Sequence, residues 1–496
     1  MPPTMSSEAH RKEIMSDIGS ASSAAPHFQG GPVTRWLRKK MDDDRPWSLI
    51  AGSVIIGLVS GLVVGLFRGS VVWLNNRMTD LYAYTKDGHW WVLALIVSGS
   101  FLLSWLLAWI VKTAPLVAGS GIPDVEQRLR SDNATYWHWW KVTWRKFIGG
   151  LMAMGPGLFL GWEGPSVQLG ASVGLGCSHY SDHTARNRHT FVSCGAAAGL
   201  CAAFTAPLAS VIFVAEEVYA RFTPKVFICS FVATVSAAFT TILLLGQAPG
   251  FALPAPKTTN ITMWWQFILI GIVLGCVASL YEKTLFGAIN FYSLLHIPRM
   301  LRVFIPFLLM IPFGLLLPVT LGSGNSFINI VSNSNTALWL LVVMFIVRLI
   351  GSQLSSGSGA PGGLFLPILT LGAAFGLICS KLLVMAHVNP GSAGYCSVIE
   401  SSCMAGLLGA TVQCPLTAIV LVVEMTGYSN LIPMSIVTLC ACIVYDLLGG
   451  KGVYDELAGY QAKTLWRHMP ERAIVLVKKK LFEFFDKPRN DRDRRG

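Results

Sequence analysis

Long apolar segments separated by short polar connections run through most of the chain. Among them are Trp47–Phe67, Trp91–Val111, Phe191–Ala215, Val226–Leu245, Trp264–Leu280, Phe304–Leu321, Leu338–Leu354 and Leu431–Leu448. Several of these approach the ~20 residues that a helix needs to cross the hydrocarbon of a bilayer. The pattern predicts an all-α polytopic membrane protein.

Polar sequence flanks the apolar region on both sides. Residues 1–45 begin with a Ser-, Ala- and Gly-rich stretch without helical periodicity, which predicts a disordered leader. This leader is polar rather than apolar, so we expect no cleaved secretory signal. Residues 46–460 are predicted to form one membrane domain. Residues 461–496 form a basic tail that is too short for a regulatory domain of ordinary size.

Composition and charge agree with a membrane location. Hydrophobic residues make up 53% of the chain and charged residues 13%, which leaves too little polar surface for a soluble globule. The net charge is +12, and much of it lies in Arg35, Arg38, Lys39, Lys40 and Lys478–Lys480, outside the apolar region. Retention of Lys and Arg in the cytoplasm explains this better than nucleic-acid binding does. We therefore expect both termini to be cytoplasmic.

Eleven cysteines are scattered through the chain, mostly inside apolar segments. Examples are Cys194, Cys201, Cys229, Cys276 and Cys414. Their spacing favours small packing residues over a disulfide framework or a metal site. We expect no metal and no other cofactor.

An internal repeat relates the two halves of the chain, about residues 46–245 and 260–450. Pro207 stands nine residues before Glu216, and Pro415 stands nine residues before Glu424. Pro165 and Pro367 each precede glycines at the same two spacings. Matching Pro- and Gly-punctuated segments in two halves indicate a transporter with its site between the repeats. The spacing alone does not say whether the repeats are inverted.

Three Gly- and Pro-rich runs interrupt the apolar sequence. They are Gly119-Ser-Gly-Ile-Pro123, Gly161-Trp-Glu-Gly-Pro165 and Gly359-Ala-Pro-Gly-Gly-Leu-Phe-Leu-Pro367. Broken backbone at membrane depth is tolerated only where it lines a cavity or is buried in protein. Because Pro is favoured in the first helical turn, each run predicts a helix N-terminus, where free N–H groups attract an anion. The runs therefore predict an anion site built from backbone groups.

Glu163 lies within the second run, beside the apolar residues Leu158–Leu160. An ionisable residue inside the membrane is functional by default, because burial of its charge is costly. A carboxylate at an anion-attracting helix end competes with the anion, and protonation releases it. Glu163 is therefore a candidate gate, and a purely structural capping carboxylate is the alternative.

Glu216 and Glu217 follow an apolar run and point in different directions on a helix, so we expect one of them to face the interior. One of the pair is a candidate for proton transfer. For Glu217 the alternative is an ion pair with Arg221, four residues on. Glu216 and its repeat partner Glu424 are expected to be structural.

Two patterns typical of soluble enzymes have no suitable context. Gly357-Ser-Gly-Ala-Pro-Gly362 fits a dinucleotide fingerprint, and Gly170-Ala-Ser-Val-Gly174 fits a nucleophile elbow. Each requires a strand, a turn and a helix, which these apolar runs do not predict. We therefore expect a protein that is not an enzyme.

Together with Glu424-Met-Thr, the three Gly- and Pro-rich runs resemble the signature of the CLC chloride channels and transporters. The resemblance extends from about residue 45 to about residue 465. It implies two inverted-topology repeats with broken and re-entrant helices, and a homodimer in membrane lipid. The implied substrates are chloride and protons, without nucleic acid.

The resemblance also implies roles for individual residues. Ser120 and Tyr454 would supply hydroxyls to the anion, and Leu364 and Phe365 would supply backbone N–H groups. Glu163 would be the gating glutamate. This combination implies exchange of chloride for protons, with a passive, voltage- or pH-gated chloride channel as the alternative.

Glu217 matches the internal proton-transfer glutamate of many family exchangers, which the family's channels lack. Glu126 matches an acidic neighbour of that proton route. The absence of the paired nucleotide-sensing domain of many eukaryotic members suits a bacterial inner-membrane protein.

The sequence departs from the family pattern at several positions. Trp162 stands where the family usually has Arg, Asp124 replaces a common Glu, and Ser166 replaces Thr. Tyr460 lies six residues beyond Tyr454, so the identity of the second hydroxyl stays open.

Overall fold

The computed structural model describes residues 46–130, 137–180, 185–218, 223–246, 251, 253–254, 261–294, 298–332, 336–388, 391–426 and 431–468. Within these ranges the regular structure is helical, apart from one isolated β-bridge. Seven of the described helices are long and apolar enough to cross a membrane. The predicted all-α membrane fold is confirmed. The leader and most of the basic tail lie outside the described residues, and the domain limits stay predictions.

The first half contains eight α-helices in the described part of the chain. These are α1 (Pro46–Lys86), α2 (Trp91–Thr113), α3 (Ile122–Arg130), α4 (Trp139–Met154), α5 (Glu163–Tyr180), α6 (Ala185–Phe204), α7 (Pro207–Phe213) and α8 (Pro224–Leu245). A π-helical turn, Val214–Val218, follows α7 directly.

The second half contributes nine described α-helices. These are α9 (Trp264–Leu294), α10 (Arg299–Leu316), α11 (Asn325–Ser332), α12 (Leu338–Gly357), α13 (Phe365–Met385), α14 (Ala393–Val412), α15 (Pro415–Thr426), α16 (Leu431–Leu447) and α17 (Val453–His468).

The apolar segment Phe191–Ala215 does not form a single helix. Helix α6 ends at Phe204 and α7 begins at Pro207. Between them Thr205 has a φ of 58°, outside the helical region. Pro lacks an N–H and disfavours helical backbone in the preceding residue, so the chain breaks here despite its apolar composition.

Helices α7 and α15 are repeat partners that run antiparallel to each other. The Glu424 carboxylate near the end of α15 accepts hydrogen bonds from the backbone N–H of Leu208 (3.1 Å) and Ala209 (2.8 Å). The Glu216 carboxylate beyond α7 accepts from the N–H of Leu416 (3.2 Å) and Thr417 (2.8 Å). Each glutamate thus caps the start of the other helix. This reciprocal arrangement requires the inverted topology, and it agrees with the structural role expected for both residues.

Glycines allow the helices of each repeat to pack closely. A Cβ on Gly170 of α5 would strike the backbone oxygen of Gly195 in α6. In the second repeat, a Cβ on Gly372 of α13 would come within 2.7 Å of the Cys403 carbonyl oxygen in α14. The α5–α6 pair of the first repeat and the α13–α14 pair of the second repeat therefore show the same close helix packing.

The enzyme-like patterns lie in helical context. Gly170–Gly174 falls inside α5, and Gly357–Gly362 connects the end of α12 to the loop before α13. The described residues contain no strand that would precede either pattern. Neither pattern supports an enzymatic site.

Candidate functional site

The three Gly- and Pro-rich runs meet at one place and are joined through their backbones. Gly119 N–H donates to the Gly359 carbonyl at 3.4 Å, and Gly362 N–H donates to the Gly119 carbonyl at 3.1 Å. Gly161 and Gly363 form a two-way bridge, with N···O distances of 2.9 and 2.6 Å. The first and second runs come from one repeat and the third from the other. The site is therefore assembled from both halves of the chain.

Each run leads into a helix N-terminus, as predicted. Helix α3 begins at Ile122, α5 at Glu163 and α13 at Phe365, and each carries Pro within its first turn. The first N–H groups of a helix have no partner within it. Three helix starts near one junction create a positive potential without Arg or Lys side chains.

Two glycines allow the close approach of these backbones. Gly121 has a φ of 86°, and a Cβ there would strike the Gln168 side chain. A Cβ on Gly164 would strike the Ser120 hydroxyl and come within 3.0 Å of Gly363 Cα. Bulkier residues at these positions would push the runs apart.

Glu163 is fully buried at the start of α5. Its Oε1 accepts a hydrogen bond from the Leu366 N–H at 2.9 Å, in the first turn of α13. Its Oε2 has no hydrogen-bond partner among the described residues. Leu364 is the N-cap of α13 and Phe365 its first residue, so their N–H groups lie at the same helix end. The carboxylate thus occupies a position that suits an anion, and it also fits the capping alternative.

Two hydroxyl groups lie at the same junction. Ser120 and Tyr454 are 8% and 0% exposed, and neither oxygen has a hydrogen-bond partner in the described part of the chain. The Tyr454 ring stacks on Phe365 with centroids 6.0 Å apart. Buried hydroxyls normally find a partner, so this pair offers two donors to an anion. Tyr460 is only half-buried, and the geometry favours Tyr454.

Lys146 supports the first run from α4, and the sequence analysis missed it. Its side chain is fully buried, and Nζ donates to the carbonyls of Val117 (3.0 Å) and Gly119 (2.7 Å). These bonds hold the loop that carries Ser120. Lys146 did not stand out in the sequence, because α4 also carries Lys141 and Arg145.

Glu217 is 6% exposed and points into the protein from the π-helical turn, whereas Glu216 is only half-buried. The Cys414 thiol donates a hydrogen bond to Glu217 Oε2 at 3.0 Å. Cys414 therefore does more than fill space, in contrast to the packing role predicted for the cysteines. Arg221 lies outside the described residues, so its proposed ion pair with Glu217 stays a prediction.

Arg130 connects the two candidate proton-transfer glutamates. Its guanidinium pairs with Glu126 Oε1 at 2.9 Å and donates to the Glu217 carbonyl at 2.9 Å. It also pairs with Asp455 Oδ1 at 3.1 Å, one residue beyond Tyr454. Glu126 is 3% exposed. The sequence analysis missed both Arg130 and Cys414, because their contacts join segments far apart in the chain.

Comparison with known proteins identifies the family. A family model described as "Voltage gated chloride channel" matches residues 99–446, more than half of the chain. The chain belongs to the CLC family. Membership of this family accounts for both the inverted-repeat fold and the signature runs of this CLC protein.

Curated relatives and solved structures agree with this assignment. A Citrobacter koseri protein named "H(+)/Cl(-) exchange transporter ClcA" is 32% identical over 481 residues, covering 90% of this chain and 96% of that protein. A protein of the same name from Salmonella arizonae is 32% identical over 479 residues, with the same shares covered. A structure described as a slow cyanobacterial Cl-/H+ antiporter has a TM-score of 0.77 at 28% identity. It covers 83% of this chain and 97% of that chain.

The position before Glu163 departs from the usual family pattern in this CLC protein. The Trp162 indole N–H donates to the Ala203 carbonyl at 3.2 Å, and Ser166 Oγ donates to the Trp162 carbonyl at 2.7 Å. Asp124, another departure, lies 3.7 Å from Arg128 of the same helix. Trp162 is thus fixed beside Glu163 by bonds to α5 and α6.

Proposed function

We propose that this CLC protein exchanges chloride for protons across a membrane. The observation that carries the proposal is the buried Glu163 carboxylate, hydrogen-bonded to the first turn of α13 beside two hydroxyls without partners. A carboxylate in this place competes with chloride for the positive helix end formed by the first N–H groups of α13. The proposal agrees with the names of the curated relatives.

Protonation of Glu163 would couple the two ions. The ionised carboxylate accepts the Leu366 N–H and closes the anion path. A proton on the carboxylate removes its charge, and a neutral acid holds that N–H more weakly than an anion does. Chloride then takes the vacated position, with the hydroxyls of Ser120 and Tyr454 and the N–H groups of Leu364 and Phe365 as donors. Loss of the proton on the other side returns the gate and expels the anion.

Glu217 and Glu126 would deliver the proton from the inner side. Both carboxylates are almost fully buried, and Arg130 binds one of them and the backbone of the other. The Cys414 thiol fixes the orientation of the Glu217 carboxylate. We assign these groups to proton transfer and not to anion binding, because their own negative charge repels chloride.

We further propose a homodimer in a bacterial inner membrane, with both termini in the cytoplasm. The family resemblance supports the dimer, the basic flanking segments support the orientation, and the bacterial relatives support the location. Cross-linking of the purified protein in lipid bilayers tests the dimer directly.

The deciding experiment uses the purified protein in liposomes with an outward chloride gradient and a pH electrode. If the protein is an exchanger, chloride efflux drives protons into the liposomes even when the imposed proton gradient opposes their entry. Chloride flux without uphill proton movement would make the protein a passive channel, and the proton role of Glu217 would be wrong.

A further inference from the structure

The start of α17 places an exposed carboxylate beside the proposed proton route. Asp455 directly follows Tyr454, and its side chain is 56% exposed, whereas the side chain of Glu126 is 3% exposed. Arg130, the last residue of α3, binds both acids. Its Nη2 lies 2.9 Å from Glu126 Oε1, and its Nη1 lies 3.1 Å from Asp455 Oδ1. One guanidinium therefore holds a solvent-facing and a buried carboxyl group side by side.

The carboxyl groups of Glu126 and Asp455 are also in hydrogen-bonding contact with each other. An ionised carboxylate has acceptors only, so a hydrogen bond between two carboxyl groups requires a proton on one of them. Glu126 Oε2 has no hydrogen-bond donor among the described residues, and this oxygen is therefore open to a proton. The pair is thus able to pass a proton between water and the protein interior.

The charges around Arg130 also favour a bound proton. Glu217, whose carbonyl accepts from Arg130 at 2.9 Å, is a third acid that interacts electrostatically with Glu126 and Asp455. Glu216 adds a further negative charge near Glu217. In the part of the chain that the structure describes, Arg130 is the cation that pairs with Glu126 and with Asp455. Several ionised carboxylates beside one guanidinium repel one another, so the group is more stable when one of them holds a proton.

We propose that Asp455 is the residue at which protons enter the inner route, and that it passes them to Glu126. Water on the face of the membrane that carries α17 protonates the Asp455 carboxylate. The proton then crosses to the Glu126 carboxylate, which becomes neutral, and Asp455 returns to its anionic form. The Arg130 guanidinium keeps its charge throughout and holds both groups in place. The inference adds an entry point to the proposed exchange of chloride for protons, and it rests on that function.

A purely structural role is the alternative for Asp455. An acidic residue in the first turn of a helix stabilises the helix N-terminus, and Asp455 occupies this position in α17. The neighbouring Glu456 lies in the same first turn and is also exposed. Glu456 is therefore the matched control, because its substitution alters the charge at the same helix end without touching the Arg130–Asp455 pair.

The test measures proton and chloride transport together in liposomes over a range of pH. Asp455→Asn keeps an oxygen for Arg130 but cannot carry a proton. At neutral pH the number of protons moved per chloride is expected to fall roughly tenfold, because water becomes the only donor to a buried carboxyl group. The loss relative to the wild type should shrink at acidic pH, where protons are abundant. Asp455→Glu restores the acid and should recover most of the coupling, and Glu456→Gln should match the wild type.

A second substitution guards against a folding defect. Asp455→Ser removes the acid but keeps a residue that is favoured at helix starts, so it should lose coupling in the same way as Asp455→Asn. A wild-type ratio of protons to chloride in either folded variant would overturn the entry role and leave exchange standing. An equal fall of proton and chloride transport, with the ratio unchanged, would make Asp455 a structural residue only. Absence of uphill proton transport in the wild type would refute exchange itself, and the entry role with it.

Discussion

At the scale of single residues, Glu163 combines two properties that rarely occur together. It is fully buried, and it is held by backbone N–H groups at the start of α13 and by no cation among the described contacts. A carboxylate in this state changes position when its charge changes, because the bond that holds it depends on that charge.

Removal of the Glu163 carboxylate should separate the two ion flows. In Glu163→Ala, chloride flux is expected to continue but to lose its pH dependence, and proton movement is expected to stop. Nothing then remains at the anion site to be protonated. Paired chloride-electrode and pH-electrode recordings on liposomes check this, and residual uphill proton transport in the variant would contradict the gating role.

Glu217 should affect proton movement alone. In Glu217→Gln, proton transport is expected to stop, whereas chloride flux keeps the pH dependence that Glu163 imposes. The neighbouring Glu216→Gln is the matched control, since Glu216 caps α15 and should retain coupling. If Glu217 served only in an ion pair with Arg221, its variant would show impaired folding or little effect.

Ser120 is expected to favour chloride over nitrate, because family members that handle nitrate carry Pro at the matching position. Its buried hydroxyl has no partner among the described residues and is available to the anion. Ser120→Pro should raise nitrate coupling relative to chloride. If the ratio of nitrate to chloride transport is the same in the variant and in the wild type, Ser120 is not a selectivity ligand.

The sequence identified residues whose chemistry is visible in local spacing. The Gly- and Pro-rich runs and Glu163 belong to this class as candidates. Local spacing only indicated that one of Glu216 and Glu217 faces the interior, and the choice of Glu217 came from the family resemblance. Leu366, Lys146 and Cys414 were missed because their roles depend on contacts with distant segments. Cys414 in particular looks like any other apolar packing residue until the fold places it beside Glu217.

At the scale of elements, the reciprocal caps of α7 and α15 hold the two repeats together. Glu424→Gln removes the charge from a carboxylate that accepts two backbone N–H bonds at the start of α7. We expect a loss of about 1 kcal/mol of stability, typical of a lost helix cap, with unchanged coupling between chloride and protons. Thermal unfolding in detergent measures the loss of stability, and ion flux in liposomes measures the coupling. Altered coupling at wild-type stability would instead assign Glu424 to transport.

Helix starts were predicted well, whereas the sequence analysis made no prediction about the break between α6 and α7. Pro in a first turn marked α3, α5 and α13 correctly, because the preference is local. This break lies inside the apolar segment Phe191–Ala215, whose composition does not mark it. Hydropathy indicates whether a segment lies in lipid or in water, but it does not show where a helix is interrupted.

At the scale of the whole molecule, the basic flanks predict the orientation in the membrane. Arg38, Lys39 and Lys40 before α1, and Lys478–Lys480 after the membrane domain, should both remain in the cytoplasm. A fluorescent protein fused to either end should fluoresce in bacterial cells, and a periplasmic phosphatase fused there should be inactive. Phosphatase activity at one end would require an odd number of crossings.

The two-way bridge between Gly161 and Gly363 has a consequence for the ancestry of the chain. It joins equivalent loops of two inverted halves through main-chain atoms, which every sequence possesses. Two separate copies of one short ancestral protein, inserted in opposite orientations, would have been able to make the same joint before any side chain specialised. Fusion of such copies would then have freed each loop to diverge, so that one acquired Glu163 and the other retained only backbone donors.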